Sequence, residues 1–201
     1  MYCDIVILPP PAVREQIGQA VRTATRHTSP LYAVDNRALI PHLSLYHIHL
    51  PKVRLEKLAK LVQEVAKHYH RQVLASRGLR ETGKSGASLC LYFIKSKPLE
   101  ELHRRFVRTC RSLRIGEMPW TSQRPPTSLE VLYRKRYGTQ HVLRFFNPHV
   151  TLCKIERPAD AKAVAKQLQK LRCRFVADTI AITEVNFWHQ VTRVIKKFTL
   201  T

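Results

Sequence analysis

Apolar residues along the chain recur at two spacings, and these separate predicted strands from predicted helices. Short apolar runs predict strands, whereas apolar positions three or four residues apart predict amphipathic helices. Strands are predicted at 4–8, 38–50, 88–94 and 149–155, with a closing β-hairpin formed by 175–187 and 191–200. Helices are predicted from the apolar positions within 13–24, 55–73, 99–113 and 161–171. The second helix is expected to end near Ser76 and Gly78.

The segment 114–147 follows neither spacing, because Pro119, Pro125, Pro126 and Gly138 interrupt it. Strands or a hairpin are expected there at 128–133 and 140–146. The predicted order of elements is β-α-β-α-β-α, then this irregular basic stretch, then β-α-β-β. The sequence therefore predicts an α+β fold in which one half resembles the other.

One tetrapeptide pattern occurs twice, once in each half of the 201-residue chain. His42-Leu43-Ser44-Leu45 and His149-Val150-Thr151-Leu152 each follow a proline and each lie in a predicted strand. Because side chains alternate between the two faces of a strand, the histidine and the hydroxyl of each copy share one face. Two such strands facing each other would present two imidazoles and two hydroxyls to a cleft.

The chain is strongly basic, with 35 Lys and Arg against 14 Asp and Glu, a formal net charge of +21 and a pI near 10.4. Such an excess favours a polyanionic partner, and nucleic acid is the commonest one. A general compositional bias would also produce it. The basic residues are spread along the chain, which indicates a charged face and not a charged tail.

The five cysteines are odd in number and contain no C-x-x-C pair. Cys90 and Cys153 lie in apolar strand-like runs, where a free cysteine behaves as a small hydrophobe, so a reducing compartment is expected. The first eleven residues have no basic region and only a four-residue apolar run, which does not resemble a signal peptide. No segment approaches membrane-spanning length. We therefore expect a soluble, cytoplasmic protein that does not contact a membrane.

The two tetrapeptides resemble the paired H-x-[S/T]-x signatures of the 2H phosphoesterase superfamily. That family includes LigT-type bacterial 2′-5′ RNA ligases and the RNA and nucleotide cyclic phosphodiesterases. The resemblance implies one bilobal domain over 1–201, with two pseudo-symmetric β-sheet lobes and flanking helices around a central cleft. It implies that motifs 42–45 and 149–152 face this cleft from different lobes, and that neither a metal nor another cofactor is needed. Ser44 stands where threonine is commoner, and the long basic segment leaves the subfamily open.

The resemblance also implies roles for the four motif residues. Hydrolysis of a 2′,3′-cyclic phosphate needs a base that activates water and an acid that protonates the departing ribose oxygen, and histidine suits both roles. His42 and His149 would divide these roles, in an order that the sequence leaves open. Ser44 and Thr151 would hydrogen-bond the non-bridging phosphate oxygens. The reverse reaction is 2′-5′ ligation.

Further residues are candidates for binding the substrate, each with a competing structural interpretation. Tyr46 continues the face of His42 and Ser44 and either lines the cleft or packs in the core. Trp188, at the turn of the closing hairpin, either stacks on a base or caps the sheet. An aromatic and basic segment is typical of a single-strand-binding loop or of a solvated hairpin tip; it comprises Tyr133, Arg134, Lys135, Arg136 and Tyr137.

Two histidine pairs have a spacing that a metal ion can use, His47-x-His49 and His68-x-His70. No carboxylate or cysteine lies close to either pair in sequence, and strand alternation directs His47 and His49 away from His42. Surface or packing roles are therefore expected for both pairs, and no metal site is predicted.

The sequence thus predicts a monomeric, metal-independent phosphoesterase acting on RNA or nucleotides that end in a 2′,3′-cyclic phosphate. Two other functions stay open. The first is an RNA-binding module that keeps the fold without turnover, although such a module has no need of two imidazoles facing a phosphate. The second is a phosphodiesterase for small cyclic nucleotides or 2′-5′ oligoadenylate, which the charge of +21 disfavours without excluding.

Overall fold

A computed structural model describes residues 1–82, 87–122 and 124–201 of the chain. The strands are β1 (Tyr2–Ile7), β2 (Tyr32–Ala33), β3 (Leu43–His49), β4 (Gln72–Thr82), β5 (Ala87–Phe93), β6 (His149–Ile155), β7 (Arg174–Ala177), β8 (Thr179–Val185) and β9 (Val191–Thr199). The helices are α1 (Pro11–Thr25), α2 (Leu55–Lys67), α3 (Lys97–Cys110), α4 (Ser128–Tyr137) and α5 (Pro158–Leu168). Short 3₁₀ turns occur at Lys52–Arg54, Arg111–Leu113 and Leu143–Phe145.

The strands form two antiparallel sheets, one in each lobe. The first sheet has the order β3-β1-β8-β9, and the second has the order β2-β6-β5-β4-β7. Helices α2 and α3 pack on the first sheet, whereas α1 and α5 pack on the second. The α+β class and the two-lobed architecture predicted from the sequence are confirmed.

The two sheets repeat one arrangement of strands. In each, the motif strand (β3 or β6) is hydrogen-bonded to the strand that opens its half (β1 or β5), and a third strand (β8 or β4) follows on the other side. The helices complete the pseudo-symmetry by crossing between lobes. Helix α1 follows a strand of the first sheet but packs on the second, and α3 does the reverse.

Each motif strand also contains a β-bulge at the same place. The register between β1 and β3 shifts between Ile5 and Val6, so that Leu45 is the extra residue. The register between β5 and β6 shifts at the equivalent position, so that Leu152 is the extra residue. An extra residue reverses the alternation of faces beyond it. The bulges therefore decide which side chains reach the cleft.

The bulge in β3 corrects two predictions made from strict alternation. Tyr46 lies opposite Ile5 and His47 lies opposite Asp4, which place Tyr46 on the core face and His47 on the cleft face. Tyr46 is only 1% exposed, and its hydroxyl donates a hydrogen bond to the Tyr137 carbonyl at 2.7 Å. The expectation that Tyr46 continues the face of Ser44 is wrong, and so is the expectation that His47 points away from His42.

The second predicted helix is shorter than expected. Helix α2 ends at Lys67, and Val73, Ser76 and Gly78 lie in β4. This segment pairs with β5 along one edge and with β7 along the other, and only Leu74 is fully buried. Ladder hydrogen bonds on both edges therefore outweigh the apolar spacing that extended the helix.

The expected strand at 128–133 is helix α4, so the aromatic and basic segment is neither a loop nor a hairpin tip. The Thr127 hydroxyl accepts a hydrogen bond from the Glu130 amide, and the Glu130 carboxylate accepts one from the Thr127 amide. This capping box begins the helix, and Gly138 ends it with a φ of 84°. The second expected strand, 140–146, is a turn containing the 3₁₀ segment Leu143–Phe145.

The cysteines are all free thiols buried among apolar residues, as expected for Cys90 and Cys153. Cys3, Cys90, Cys110, Cys153 and Cys173 are each at most 4% exposed. Among the helices that the structure describes, none is long and apolar enough to span a bilayer.

Replacing Thr127 by alanine removes the oxygen that caps α4, so we expect the free energy of unfolding to fall by about 1 kcal/mol. Ser128→Ala is the matched control, because Ser128 is the adjacent exposed hydroxyl residue and does not hold the cap position. Urea denaturation of both variants measures the difference. An equal decrease in the free energy of unfolding for the two substitutions would mean that the capping box does not stabilise α4.

Candidate active site

The two motif histidines are held by their backbones in the same way. His42 Nδ1 lies 2.8 Å from the Ile40 carbonyl oxygen, and His149 Nδ1 lies 2.7 Å from the Asn147 carbonyl oxygen. A carbonyl oxygen only accepts, so Nδ1 carries the proton in both rings. Each ring therefore keeps an unprotonated Nε2 with which to accept a proton.

Burial keeps both imidazoles neutral. His42 is 4% exposed, and burial lowers its pKa to about 4, against the opposing effect of its hydrogen bond to Ile40. His149 is half-buried, and burial lowers its pKa as well. The rings are close enough that a charge on His149 further lowers the pKa of His42. In the free protein the two motif histidines are therefore neutral at pH 7.

The motif hydroxyls share the histidines' face. Ser44 lies opposite Val6, and Thr151 lies opposite Cys90, at equivalent register positions just before the bulges. Both are half-buried. Hydroxyls at this distance along the strand can donate to an anion that sits between the two imidazoles.

A buried carboxyl group that the sequence analysis missed lies behind His42. Asp4, in the middle of β1, is 0% exposed, and its Oδ2 lies 3.2 Å from His47 Nε2 and 3.9 Å from His42 Nε2. Burial raises the pKa of Asp4 to about 8, although the Ser44 hydroxyl and two backbone amides oppose this. Burial also lowers the pKa of His47 well below its usual value. The signal was a charged residue inside an apolar strand, which is rare without a specific role.

The turn after β8 adds another buried imidazole. The ring centroid of His189 lies 5.0 Å from that of His47, and burial lowers the pKa of His189 to about 4. Its backbone has a φ of 60°, which is uncommon for a residue with a side chain. The Asn186 carbonyl oxygen accepts a hydrogen bond from the His189 amide, and this fixes the turn. His141, which is exposed, and Gln140 continue this polar wall, with Gln140 Nε2 2.8 Å from His141 Nε2.

Trp188 lies at the hairpin turn, as the sequence predicts, and it joins the two lobes. The Nζ of Lys154 lies 4.2 Å from the centroid of the Trp188 ring, and the Tyr32 ring lies 6.1 Å away. Lys154 follows the bulge in β6 and lies opposite Ser88, so it shares the face of Thr151. The sequence analysis missed Lys154 because strict alternation assigns it to the other face.

Only part of the 133–137 segment is available to a ligand. Tyr133 is partly buried and Tyr137 buried, and both pack against the core. Arg134 is held by Glu117, at 2.8 Å, and by the Met118 carbonyl oxygen, at 3.0 Å. Lys135 and Arg136 are exposed.

The histidine pairs that were expected to have surface or packing roles separate in the structure. His47 faces Asp4, His49 packs on the Tyr2 ring with centroids 4.6 Å apart, and His68 and His70 are exposed. Within 1–82, 87–122 and 124–201, no three histidine, cysteine or carboxylate side chains are arranged to bind one metal ion.

The sequence model of the 2′-5′ RNA ligase superfamily matches residues 9–186. A search of curated proteins finds no match. Among solved structures, TT0787 of Thermus thermophilus is similar over 100% of this chain and 98% of its own, with a TM-score of 0.65 and 16% identity. E. coli LigT complexed with 3′-AMP is similar over 99% of this chain and 97% of its own, with a TM-score of 0.59 and 13% identity. Kluyveromyces marxianus Usb1 is similar over 99% and 98%, with a TM-score of 0.53 and 15% identity. At these identities the solved structures show a shared fold.

The buried histidines make stability depend on pH. Folded His42 and His189 take up a proton only near pH 4, whereas unfolded histidine does so near 6.5. Between these values the unfolded chain binds more protons, so we expect these residues to make the free energy of unfolding rise with pH. His189→Gln should make that rise shallower, as measured by urea denaturation from pH 4 to 6.5.

Asp4 changes the free energy of unfolding with pH in the opposite direction. The test therefore compares the slope of the variant with that of wild type, because Asp4 contributes to both and the difference reports on His189. The raised pKa of Asp4 means that the folded state holds its proton longer, so its contribution to stability falls as pH rises toward 8. His70→Gln, at an exposed position, is the control and should leave the slope unchanged. A His189→Gln slope equal to that of wild type would contradict a depressed pKa for His189.

Proposed function

The chain belongs to the 2′-5′ RNA ligase superfamily of 2H phosphoesterases, and from this premise we propose that it hydrolyses 2′,3′-cyclic phosphate ends of RNA or nucleotides without a metal ion. One observation carries the proposal. Each lobe contributes an imidazole tied through Nδ1 to a backbone carbonyl, with a hydroxyl two residues further along the same face. Two equivalent groups on opposite sides of one cleft match the needs of a reaction that has both a base and an acid.

In the proposed reaction, one Nε2 accepts a proton from water as the water oxygen attacks phosphorus. The other ring, protonated, donates its proton to the ribose oxygen as the bond from that oxygen to phosphorus breaks. The bound phosphate is an anion beside both rings, so it raises their pKa values from the low values of the free protein. Protonation of one imidazole is therefore favoured when substrate binds.

Ser44 and Thr151 are proposed to donate hydrogen bonds to the non-bridging phosphate oxygens. These oxygens carry the charge that grows as water attacks, and donors fixed on strands stabilise it without having to reorient. Lys154, on the same face as Thr151, places a positive charge nearby. Run in reverse, the same groups would activate a 2′-hydroxyl and join two strands, so 2′-5′ ligation is a second candidate activity.

Trp188 is the proposed contact for a nucleobase. Its ring lies beside Lys154 on the cleft face and beside Tyr32 of the second lobe, and aromatic faces bind bases of any sequence. Lys135 and Arg136 are the exposed cations proposed to contact an RNA backbone. The fold shared with E. coli LigT, whose structure was solved with 3′-AMP, also agrees with a small nucleotide as substrate. A monomer in the cytoplasm stays a prediction from the sequence.

We expect His42→Ala and His149→Ala each to lose turnover of a short RNA ending in a 2′,3′-cyclic phosphate, by about 10²–10⁴-fold, because each substitution removes an acid or a base. The assay separates the cyclic end from the opened phosphate and identifies the product isomer. His70→Ala, at an exposed position, should keep wild-type activity. Wild-type turnover by either motif variant would rule out the two-histidine mechanism. Retained RNA binding by a wild-type protein that turns over no cyclic phosphate would favour the binding module.

The charge of +21 gives a separate prediction about the length of the substrate. If a basic face follows a strand, affinity should rise from oligonucleotides of about 5 to about 15 nucleotides, and log Kd should depend on log salt by about 0.7 for each phosphate contacted. Lys135→Ala/Arg136→Ala should make that dependence shallower and leave hydrolysis of a cyclic mononucleotide unaffected. The control, Lys162→Ala/Lys166→Ala, removes two exposed charges from α5. Equal affinity at both lengths with little salt dependence would favour small cyclic nucleotides or 2′-5′ oligoadenylate.

A further inference from the structure

The two lobes differ at one pair of positions next to the motifs. In lobe one, Asp4 lies opposite His47, one register step beyond the bulge. The equivalent pair in lobe two is Ser88 opposite Lys154. The histidine, the hydroxyl and the bulge are repeated, whereas the carboxyl and the second imidazole are not. Lobe one therefore has a proton-exchanging group beside its catalytic histidine that lobe two lacks.

The geometry links this carboxyl to His42. Asp4 Oδ2 lies between two imidazoles, 3.2 Å from His47 Nε2 and 3.9 Å from His42 Nε2. Both carboxyl oxygens lack a hydrogen-bond partner in the described structure; the shorter distance is at the upper limit for a hydrogen bond, and the longer one needs a shift of less than one ångström to reach it. The carboxyl is 0% exposed and cannot exchange its proton directly with bulk water. Two ring nitrogens that can accept its proton lie beside it, and the Ser44 hydroxyl is also close.

The same three groups constrain where a charge can reside. A buried carboxylate without a counter-charge is costly, and so is a buried imidazolium. The group formed by Asp4, His47 and His42 therefore stays neutral overall when it holds one exchangeable proton. That proton lies either on the carboxyl or on an imidazole that faces a carboxylate. An anionic phosphate beside His42 favours the second arrangement, because it stabilises an imidazolium at that ring.

We propose that Asp4 is a positioning residue that acts through His42: its carboxyl, which lies beside His47, passes a proton to His42 Nε2 when a phosphate enters the cleft. The O–H bond of Asp4 breaks, an N–H bond forms on His42, and a carboxylate remains beside the imidazolium. His42 then gives this proton to the departing ribose oxygen, while His149 holds the proton taken from water. The proton on His149 returns to solvent, and the group formed by Asp4, His47 and His42 takes up a new proton. For turnover this proposal depends on the proposed function, but the proton exchange itself does not.

Other charged and titratable groups surround this trio and bear on its protonation. Burial raises the pKa of Asp4 to about 8, so the carboxyl still holds its proton at neutral pH. Ser44 on β3 acts on the carboxyl itself, and His189 in the hairpin turn, His141 before β6 and His149 on β6 act on His47. Cys3 is the neighbour of Asp4 on β1, and Arg134 on α4 acts on His189 and His141. The surrounding imidazoles lower the pKa of His47, and His149 lowers that of His42, so an imidazolium is disfavoured until an anion is bound.

Nuclear magnetic resonance of the free protein tests the starting state of this exchange, a proton held on Asp4 and coupled to His42, without any assay of activity. Between pH 5 and 10, the Asp4 carboxyl should titrate near pH 8, and the His42 ring nitrogens should follow with the same midpoint. The His149 ring nitrogens should not. In Asp4→Asn the His42 step should be absent, whereas Asp160→Asn, which removes a carboxyl on α5, should retain it. The proposal would be overturned if the Asp4 carboxyl titrated near its ordinary pKa of 3.8, or if the ring nitrogens of His42 and His149 showed the same change of chemical shift with pH.

A kinetic comparison then tests the role in turnover. For Asp4→Asn we expect kcat to fall by about tenfold or more with KM little changed, and the limb of the pH profile near 8 to disappear. Asp4→Ser, which copies the residue of lobe two, should behave alike and covers the case in which Asn does not fold. An unchanged pH profile in an active Asp4 variant refutes the inference about Asp4 and leaves the proposed function standing. A wild-type protein that shows the proton exchange but turns over no cyclic phosphate refutes the proposed function and leaves the exchange standing.

Discussion

The cleft depends on one extra residue in each motif strand. Side chains of a regular strand alternate strictly, so a strand that carries the motif histidine and hydroxyl also fixes which later residues share their face. The bulges at Leu45 and Leu152 reverse that alternation one residue after the hydroxyl. They turn Tyr46 into the core and bring His47 and Lys154 to the cleft. The same backbone irregularity thus gives each lobe a polar group that a regular strand would have directed into the apolar interior.

Burial of ionisable groups dominates the electrostatics of the site. Three imidazoles, those of His42, His47 and His189, are withdrawn from water together with the Asp4 carboxyl, and each has a desolvation cost that favours its neutral form. These buried groups are neutral when the cleft is empty, although the chain has a net charge of +21 and Lys154 lies on the cleft face. In the proposed reaction, the long-range positive field attracts the anionic substrate, and the buried histidines become charged only when that anion is bound. In this proposal, most of the cations that attract the anion and the buried groups that react with it are different residues.

The sequence was sufficient for features that depend on local patterns and insufficient for those that depend on distant partners. The repeated tetrapeptide, the α+β class and the hairpin carrying Trp188 follow from residue identity and spacing. The bulges leave no mark in the apolar pattern, so the positions of His47 and Lys154 could not be read from it. Strand β4 needed its two neighbours to become a strand. Helix α4 was within reach of the sequence, because Thr127 and Glu130 have the spacing of a capping box, but the prolines around it suggested only a short strand or hairpin.

The crossing of α1 and α3 between the sheets has a consequence for how the molecule folds. Each lobe completes its core with a helix that follows a strand of the other lobe, so neither core is built from one half of the chain alone. Neither sheet can be covered until chain segments far apart in sequence have met, which makes folding non-local and ties both lobes to one cooperative transition. The halves of the sequence repeat each other, yet neither half is an autonomous unit. The repeat in the sequence therefore does not mark a place where the chain could be cut into two folding pieces.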